Sequence, residues 1–312
     1  MFKHVTSVAL ASLAVAAAIA AGPAMAADLL VKAAPPPAVA PSMFDIAFGA
    51  AIMSDYNFRG VSQSDRGMAA SAYFEPRFKI SPNFEIYAGI AGYSTKLPTS
   101  PTGEFDGYGG VRATFGPVTF DVGGIYYYYP RERQQFLDAP VPATTIVSTT
   151  PTAFPLTVAD TDYAEVYGKV TWTANDMLTF GGYVYYSDNV LNSGAYGLYF
   201  GGTAKITAPT NWFPTDWGSY LSGEVAYYDL GTTGPVLGAV NLPNYTYWNI
   251  GVAFTYKAFT LDLRYHDTDL SRASCFNLTG DPRGALNGGF SRWCGETFIA
   301  KLSVDTTLSA LK

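Results

Sequence analysis

From Phe44 onward the chain alternates apolar and polar positions with a period of two, in stretches of about eleven residues closed by turn-forming residues. Twelve such stretches are read, over residues 44–58, 69–80, 84–95, 105–115, 118–129, 162–173, 177–187, 195–207, 219–230, 245–256, 259–267 and 296–308. Each suits a tilted β-strand crossing a bilayer, for which ~9–11 residues suffice. The pattern predicts an all-β, antiparallel, up-and-down transmembrane barrel of about twelve strands.

The connections support this, because their lengths alternate. Those after the odd-numbered strands, 59–68, 96–104, 130–161, 188–194, 231–244 and 268–295, are medium or long. Those after the even ones, 81–83, 116–117, 174–176 and 257–258, are tight, with 208–218 the one departure. An outer-membrane barrel has short periplasmic turns and long outer loops, so the even strand number puts both termini on the periplasmic side. Trp212, Phe213 and Trp217 in the departing connection suit the inner interface, where amphipathic rings settle.

Charges occupy one parity of each strand. Glu75, Arg77 and Lys79 alternate with Phe74, Phe78 and Ile80, and Asp262, Arg264 and His266 alternate with Leu261, Leu263 and Tyr265. An Arg or Lys facing lipid at mid-bilayer costs roughly 2–4 kcal/mol, so the charged parity is assigned to the lumen. The expected pore-lining residues are Glu75, Arg77, Lys79, Asp106, Arg112, Asp121, Glu165, Lys169, Glu224, Asp262, Arg264 and Lys301, with Asp45, Asp55, Glu85, Lys205, His266 and Asp305 on the same parity. Acids slightly outnumber bases in this set, which favours small cations or neutral solutes over anions. Aromatics mark the two interfaces. Tyr126 to Tyr129, Tyr185, Tyr186, Tyr227 and Tyr228 lie near the long loops, and Phe84, Phe115, Phe120, Phe180 and Phe259 near the tight turns.

Composition agrees. Of 312 residues only 14% are charged, where a soluble domain carries roughly 25%, while 31 Gly and 23 Tyr are present and mean hydropathy is +0.09. No window after residue 21 approaches the ~18 apolar residues of a membrane helix. Residues 1–26 read as a signal peptide: Lys3 and His4, the apolar stretch from Val5 to Ala21, then Ala24, Met25 and Ala26 as the cleavage motif. Residues 27–43 read as a periplasmic Ala/Pro-rich linker and 44–312 as the barrel, in the bacterial outer membrane. The net charge of −6 and the lack of a basic stripe exclude nucleic acid as a partner. The expected partners are outer-membrane lipid, lipopolysaccharide and small solutes.

Little catalytic chemistry stands out. Cys275 and Cys294 share the last long loop, and an exported chain is expected to join them in a disulfide. No metal site and no cofactor are expected, since that loop has no histidine and no calcium-loop or phosphate-binding motif occurs. His266, with Asp267, Asp269 and Ser271 downstream, suggests a lipid hydrolase only weakly, and a solvated lumen histidine is the simpler reading.

One stretch, Ser54, Asp55, Tyr56, Asn57, Phe58, Arg59, Gly60, Val61, Ser62 and Gln63, resembles the signature closing the first strand of the TorF-type porins, Gcw_chp-type outer-membrane proteins of Gram-negative bacteria. The resemblance extends over the barrel and includes Arg292, Trp293, Cys294 and Gly295. The chain departs from the pattern of such barrels in ending Leu311-Lys312 instead of in an aromatic residue. The resemblance implies a non-enzymatic porin for passive transport of small solutes, with no catalytic residue to carry over. The alternative is a closed structural or adhesive barrel acting through its outer loops.

Overall fold

The computed structural model describes residues 43–137, 147–148 and 154–311; the signal peptide expected at 1–26, nearly all of the linker expected at 27–43 and the middle of the 130–161 connection lie outside the described residues. Twelve strands form one closed antiparallel sheet. They are β1 (Phe44–Met53), β2 (Ala69–Lys79), β3 (Phe84–Tyr93), β4 (Glu104–Phe115), β5 (Val118–Tyr128), β6 (Tyr163–Thr173), β7 (Leu178–Ser187), β8 (Gly197–Thr207), β9 (Trp217–Leu230), β10 (Tyr245–Tyr256), β11 (Phe259–Thr268) and β12 (Thr297–Thr307). Each pairs with its sequence neighbours, and β1 closes on β12, with Ala47 opposite Thr307 and Met53 opposite Lys301. Closure leaves no sheet edge, which is what lets strands cross a medium that offers no hydrogen bonds. Among the described residues no helix is long and apolar enough to cross a membrane.

Burial is inverted relative to a water-soluble protein. Ile90, Val122, Val166, Val225 and Phe298 are exposed by 61–65%, while Glu75, Asp106, Arg112 and Glu165 are exposed by 4% or less. An apolar belt on all twelve strands far exceeds the few hundred Å² of contiguous apolar surface that a soluble monomer shows. Lipid is its solvent, and the barrel resides in the bacterial outer membrane.

The interior is filled mostly by tyrosine. Tyr127 and Tyr129, Tyr185 and Tyr228, expected at the interface, point inward with their parity, while Tyr126, Tyr128, Tyr186 and Tyr227 face out. Adjacent residues of a strand face opposite ways, so a run of tyrosines supplies both the belt and the core. Inward-facing glycines make room for the rings. A Cβ at Gly110 would meet the Tyr87 hydroxyl at 2.8 Å, and one at Gly123 the Tyr167 hydroxyl at 2.6 Å. The two hydroxyls themselves meet at 2.5 Å.

Most strand ends differ from the sequence reading by no more than two residues, and the large difference is at the end of β1. β9 begins at Trp217, inside the expected 208–218 connection, and β1 stops at Met53 although the alternation continues to Phe58. At Ser54 the chain leaves the sheet, and the connection from there to Met68, termed loop L1, folds back into the barrel.

A latched loop inside the barrel

At the tip of L1, Asn57–Phe58 pairs with Val61–Ser62 in a miniature hairpin. Arg59 (φ +52°) and Gly60 (φ +86°) form its two-residue turn, the doubly left-handed geometry that suits tight hairpins. Gly60 N–H donates to Asn57 Oδ1 at 2.9 Å. A Cβ at Gly60 would overlap the Thr268 methyl and lie 2.9 Å from the Tyr247 ring, so glycine is required for space as well as for conformation. Asp55 shapes the base, accepting from Ser62 Oγ at 2.6 Å and Ser64 Oγ at 2.9 Å, with Arg66 3.7 Å away. Burial pushes the Asp55 carboxyl above its ordinary range, and the two hydroxyls and Arg66 oppose that shift.

The hairpin presents Arg59 to the barrel wall. Its guanidinium donates to both oxygens of Glu165, at 2.8 and 2.7 Å, with 3% of the arginine side chain and none of the glutamate's exposed. Three wall tyrosines, Tyr185, Tyr199 and Tyr228, hold their ring centroids 5.0, 4.3 and 5.0 Å from the guanidinium carbon, and Phe58 is at 4.6 Å. Tyr127 donates to Glu165 at 3.0 Å, and the Tyr245 hydroxyl donates to the Arg59 carbonyl at 2.9 Å. Beside the hairpin Tyr56 stacks on Tyr93 and donates to Glu104 at 2.6 Å, which also accepts from Tyr129. Asp106, two residues further along β4, is 2% exposed, and neither of its oxygens has a hydrogen-bond partner in the described structure.

The last long loop holds L1 from behind. Cys275 and Cys294 form the expected disulfide. Val61 bridges to Cys294, Ser62 N–H donates to the Trp293 carbonyl at 2.8 Å, Trp293 Nε1 donates to Asp65 at 2.9 Å, and Arg66 donates to the Arg292 carbonyl at 2.9 Å. Arg283 also pairs with Asp65. The two stretches that carry the family resemblance, some 230 residues apart, are therefore one contact in space.

Most of the other charges expected in the lumen are buried or half-buried inside the barrel and paired. Arg112 reaches Glu75 at 3.0 Å, Glu85 at 3.1 Å and Asp121 at 3.3 Å, while Arg77 meets Glu75 at 2.6 Å. These residues stand in register, with Glu85 opposite Arg112, Arg112 opposite Asp121 and Asp121 opposite Lys169, which is what draws them into one network. Lys169 lies over the Tyr167 ring at 3.9 Å. Across the barrel Arg264 binds Asp262 at 2.8 Å and Asn249 at 2.6 Å; Asn249 donates to Glu224, which also accepts from Tyr183 and Tyr199. Lys301 sits opposite Asp262. Lys79 departs from the expectation: it has the inward parity but stands exposed at the tight-turn end of β2.

His266 is also corrected. It is 8% exposed and not solvated, its Nδ1 is 2.7 Å from the Tyr247 hydroxyl, and Ser271 instead caps a helix by accepting from Ser274 N–H. Among the described residues, none of the recorded hydrogen bonds joins Asp267, Asp269 or Ser271 to the imidazole. Spacing along the sequence did not foretell the three loop carboxylates Glu132, Asp160 and Asp162, whose oxygens lie within 4.8 Å of one another. Thr161 N–H and hydroxyl donate to Glu132, Asp162 N–H to Asp160 and Tyr129 N–H to Asp162, so the cluster ties loop segments together.

The fold and its lipid-facing belt define a twelve-stranded outer-membrane β-barrel with one loop folded into its lumen. The family described as "Bacterial protein of unknown function (Gcw_chp)" matches residues 37–283, and the chain belongs to it; the narrower TorF name is not part of that match. No curated protein matches. Among solved structures, the NanC porin is similar at 10% identity and TM-score 0.40, over 84% of this chain and 98% of that one. The KdgM porin in complex with disordered oligogalacturonate is similar at 8% identity and TM-score 0.38, over 83% and 98%. LpxR from Salmonella typhimurium is similar at 8% identity and TM-score 0.38, over 84% and 99%.

Proposed function

We propose that the protein is a passive pore for small polar solutes or ions, closed by L1 in the state seen here and favouring cations. The observation that carries this reading is the character of the block. A twelve-stranded barrel falls between eight-stranded barrels filled by side chains and open sixteen-stranded ones, and here a loop completes the filling. Its tip holds to the wall by a polar latch, Arg59 on Glu165. The wall around the latch carries Glu104, Asp106 and Glu165, so withdrawing L1 leaves three carboxylates, and charges lining a low-dielectric tube are weakly screened.

The closed structural or adhesive reading keeps one specific observation in its favour, the paired charges of the interior. Recording of the purified protein in a planar bilayer separates the two. A pore gives rare openings in the wild type and more frequent ones in Glu165→Gln, with reversal potentials showing cation preference that falls when Glu165 and Glu224 are both Gln. Folded, heat-modifiable protein with no channel events in the wild type, in Glu165→Gln or in Arg59→Ala refutes the pore. No cofactor or catalytic step enters this reading, and its partners are lipid, lipopolysaccharide and the solute.

A further inference from the structure

We infer that the barrel wall carries a recognition site for a guanidinium- or ammonium-bearing solute, and that Arg59 occupies it as a built-in competitor. The inference deepens the pore reading by naming the class of solute, and its role in transport rests on that reading.

The site is more elaborate than the fastening of a loop requires. A surface ion pair tethers weakly, whereas this guanidinium has a carboxylate fork in line with both of its terminal nitrogens and three aromatic walls from β7, β8 and β9. Guanidinium is weakly hydrated and prefers aromatic faces once desolvated. The cage belongs to the barrel. Glu165, its orienting Tyr127 and the tyrosines Tyr185, Tyr199 and Tyr228 all lie on strands, and L1 supplies only the cation and Phe58. Withdrawal of the hairpin therefore leaves a preformed site.

Two further observations point to a free ligand. Arg59 reaches the cage from a left-handed backbone conformation that a non-glycine residue adopts at a penalty, and a free cation bears no such penalty. Asp106 offers a second anchor. It lies opposite Tyr127, the residue whose hydroxyl holds Glu165, and its buried oxygens have no hydrogen-bond partner in the described structure. A buried carboxylate in that position suits a solute with a second positive group, such as an α- or ω-ammonium.

The test uses agmatine, a guanidinium joined by a short alkyl chain to an ammonium, and the full-length protein with Arg59→Ala to vacate the cage. Folding is checked by heat-modifiability, and Arg59→Lys, which keeps the charge and loses the fork, serves as the second variant. Calorimetric titration of folded Arg59→Ala gives one agmatine per barrel, bound at least tenfold more tightly than by Arg59→Ala/Glu165→Gln at equal ionic strength. In the bilayer, agmatine raises the opening frequency of the wild type by displacing the latch and blocks Arg59→Ala at lower concentration than the double variant. Arg59→Lys, filling the cage less well, opens more readily than wild type at a given agmatine concentration. Channels that conduct in Arg59→Ala without Glu165-dependent agmatine binding overturn the site and leave the pore. Binding without channel events in any form upholds the site and removes the pore.

Discussion

Gly60→Ala tests whether L1 is a docked, displaceable element. The substitution adds one methyl where the backbone is left-handed at φ +86° and where the Cβ would overlap Thr268 and press on Tyr247. A left-handed conformation costs an L-residue roughly 1–2 kcal/mol, and forcing a methyl into a filled site costs typically about 1–3 kcal/mol more. The docked hairpin should lose about 2–5 kcal/mol, a rise of roughly 30-fold to a few thousandfold in the undocked population at tenfold per 1.4 kcal/mol. The barrel ladder does not run through Gly60, so the folded barrel persists. Trypsin reads the population, because Arg59 is 2% exposed and Arg66 is half-buried when L1 is docked, and cleavage tracks the open form when opening is fast. The bond after Arg66 is the cleaner probe, since its neighbour Gly67 is unchanged. Gly116→Ala is the control: its φ is +58° with nothing within 4 Å of the added carbon, and it lies in the turn at the other end of the barrel. It carries the strain without the clash and should leave L1 protected. Cleavage after Arg66 in Gly60→Ala that stays within about threefold of wild type would refute the docking argument, since the strain alone corresponds to about a tenfold change.

Val122→Arg, at a lipid-facing position 65% exposed in β5, should lower the unfolding free energy by roughly 2–4 kcal/mol, and Val122→Leu should not, measured by urea titration in lipid vesicles. Reduction, or Cys275→Ser with Cys294→Ser, should remove about 3 kcal/mol of loop restraint and speed tryptic cleavage after Arg66, because Cys294 bridges to Val61. Cysteines placed at Val236, exposed on the connection 231–244, and at Asn83, in a tight turn, should differ on intact cells, with an impermeant maleimide labelling Val236 and sparing Asn83; the reverse would invert the topology. The raised Asp55 carboxyl means that the folded loop holds this proton more tightly than the unfolded chain. Its ionisation therefore weakens the fold above its folded pKa, and the loss is recovered as pH falls through that value towards 3.8, so thermal unfolding should show this slope in wild type and not in Asp55→Asn.

The strands were legible because lipid enforces parity. A mid-bilayer charge on the outer face is penalised so heavily that Glu75, Arg112, Glu165 and Arg264 declare the inner face without a structure. Loop-length alternation and the cysteine pair were readable for similarly local reasons. The descent of L1 was not. Tyr56 and Phe58 continue the period-two pattern of β1, and the residue that turns the chain away, Asp55, does so through Ser62 and Ser64, a tertiary capture that periodicity cannot register. Nor does the spacing of Arg59 and Glu165 indicate their contact. The fate of the tyrosines could have been read, since parity applied to Tyr126 through Tyr129 sends alternate rings inward. The burial of His266 was not legible, because lumen parity does not distinguish a wet face from a packed one, and here the Tyr247 ring stacks against the imidazole.

The distribution of interior pairs says which parts of the molecule move together. Arg112 with Glu75, Glu85 and Asp121, and Arg264 with Asp262 and Asn249, pair strand to strand and draw none of these contacts from L1. Among the described residues L1 hydrogen-bonds two wall carboxylates, Glu165 through Arg59 and Glu104 through Tyr56, and withdrawal would leave these with one tyrosine hydroxyl each, from Tyr127 and Tyr129. The electrostatic penalty of withdrawing L1 thus falls on Glu104 and Glu165, and water or a cation entering the vacated space offsets it. If the barrel is the pore proposed above, it would open with no rearrangement of its strands. The ion that most stabilises that open state would be the one that best replaces a guanidinium, so the latch residue and the solute preference would follow from the same acidic wall around Glu165.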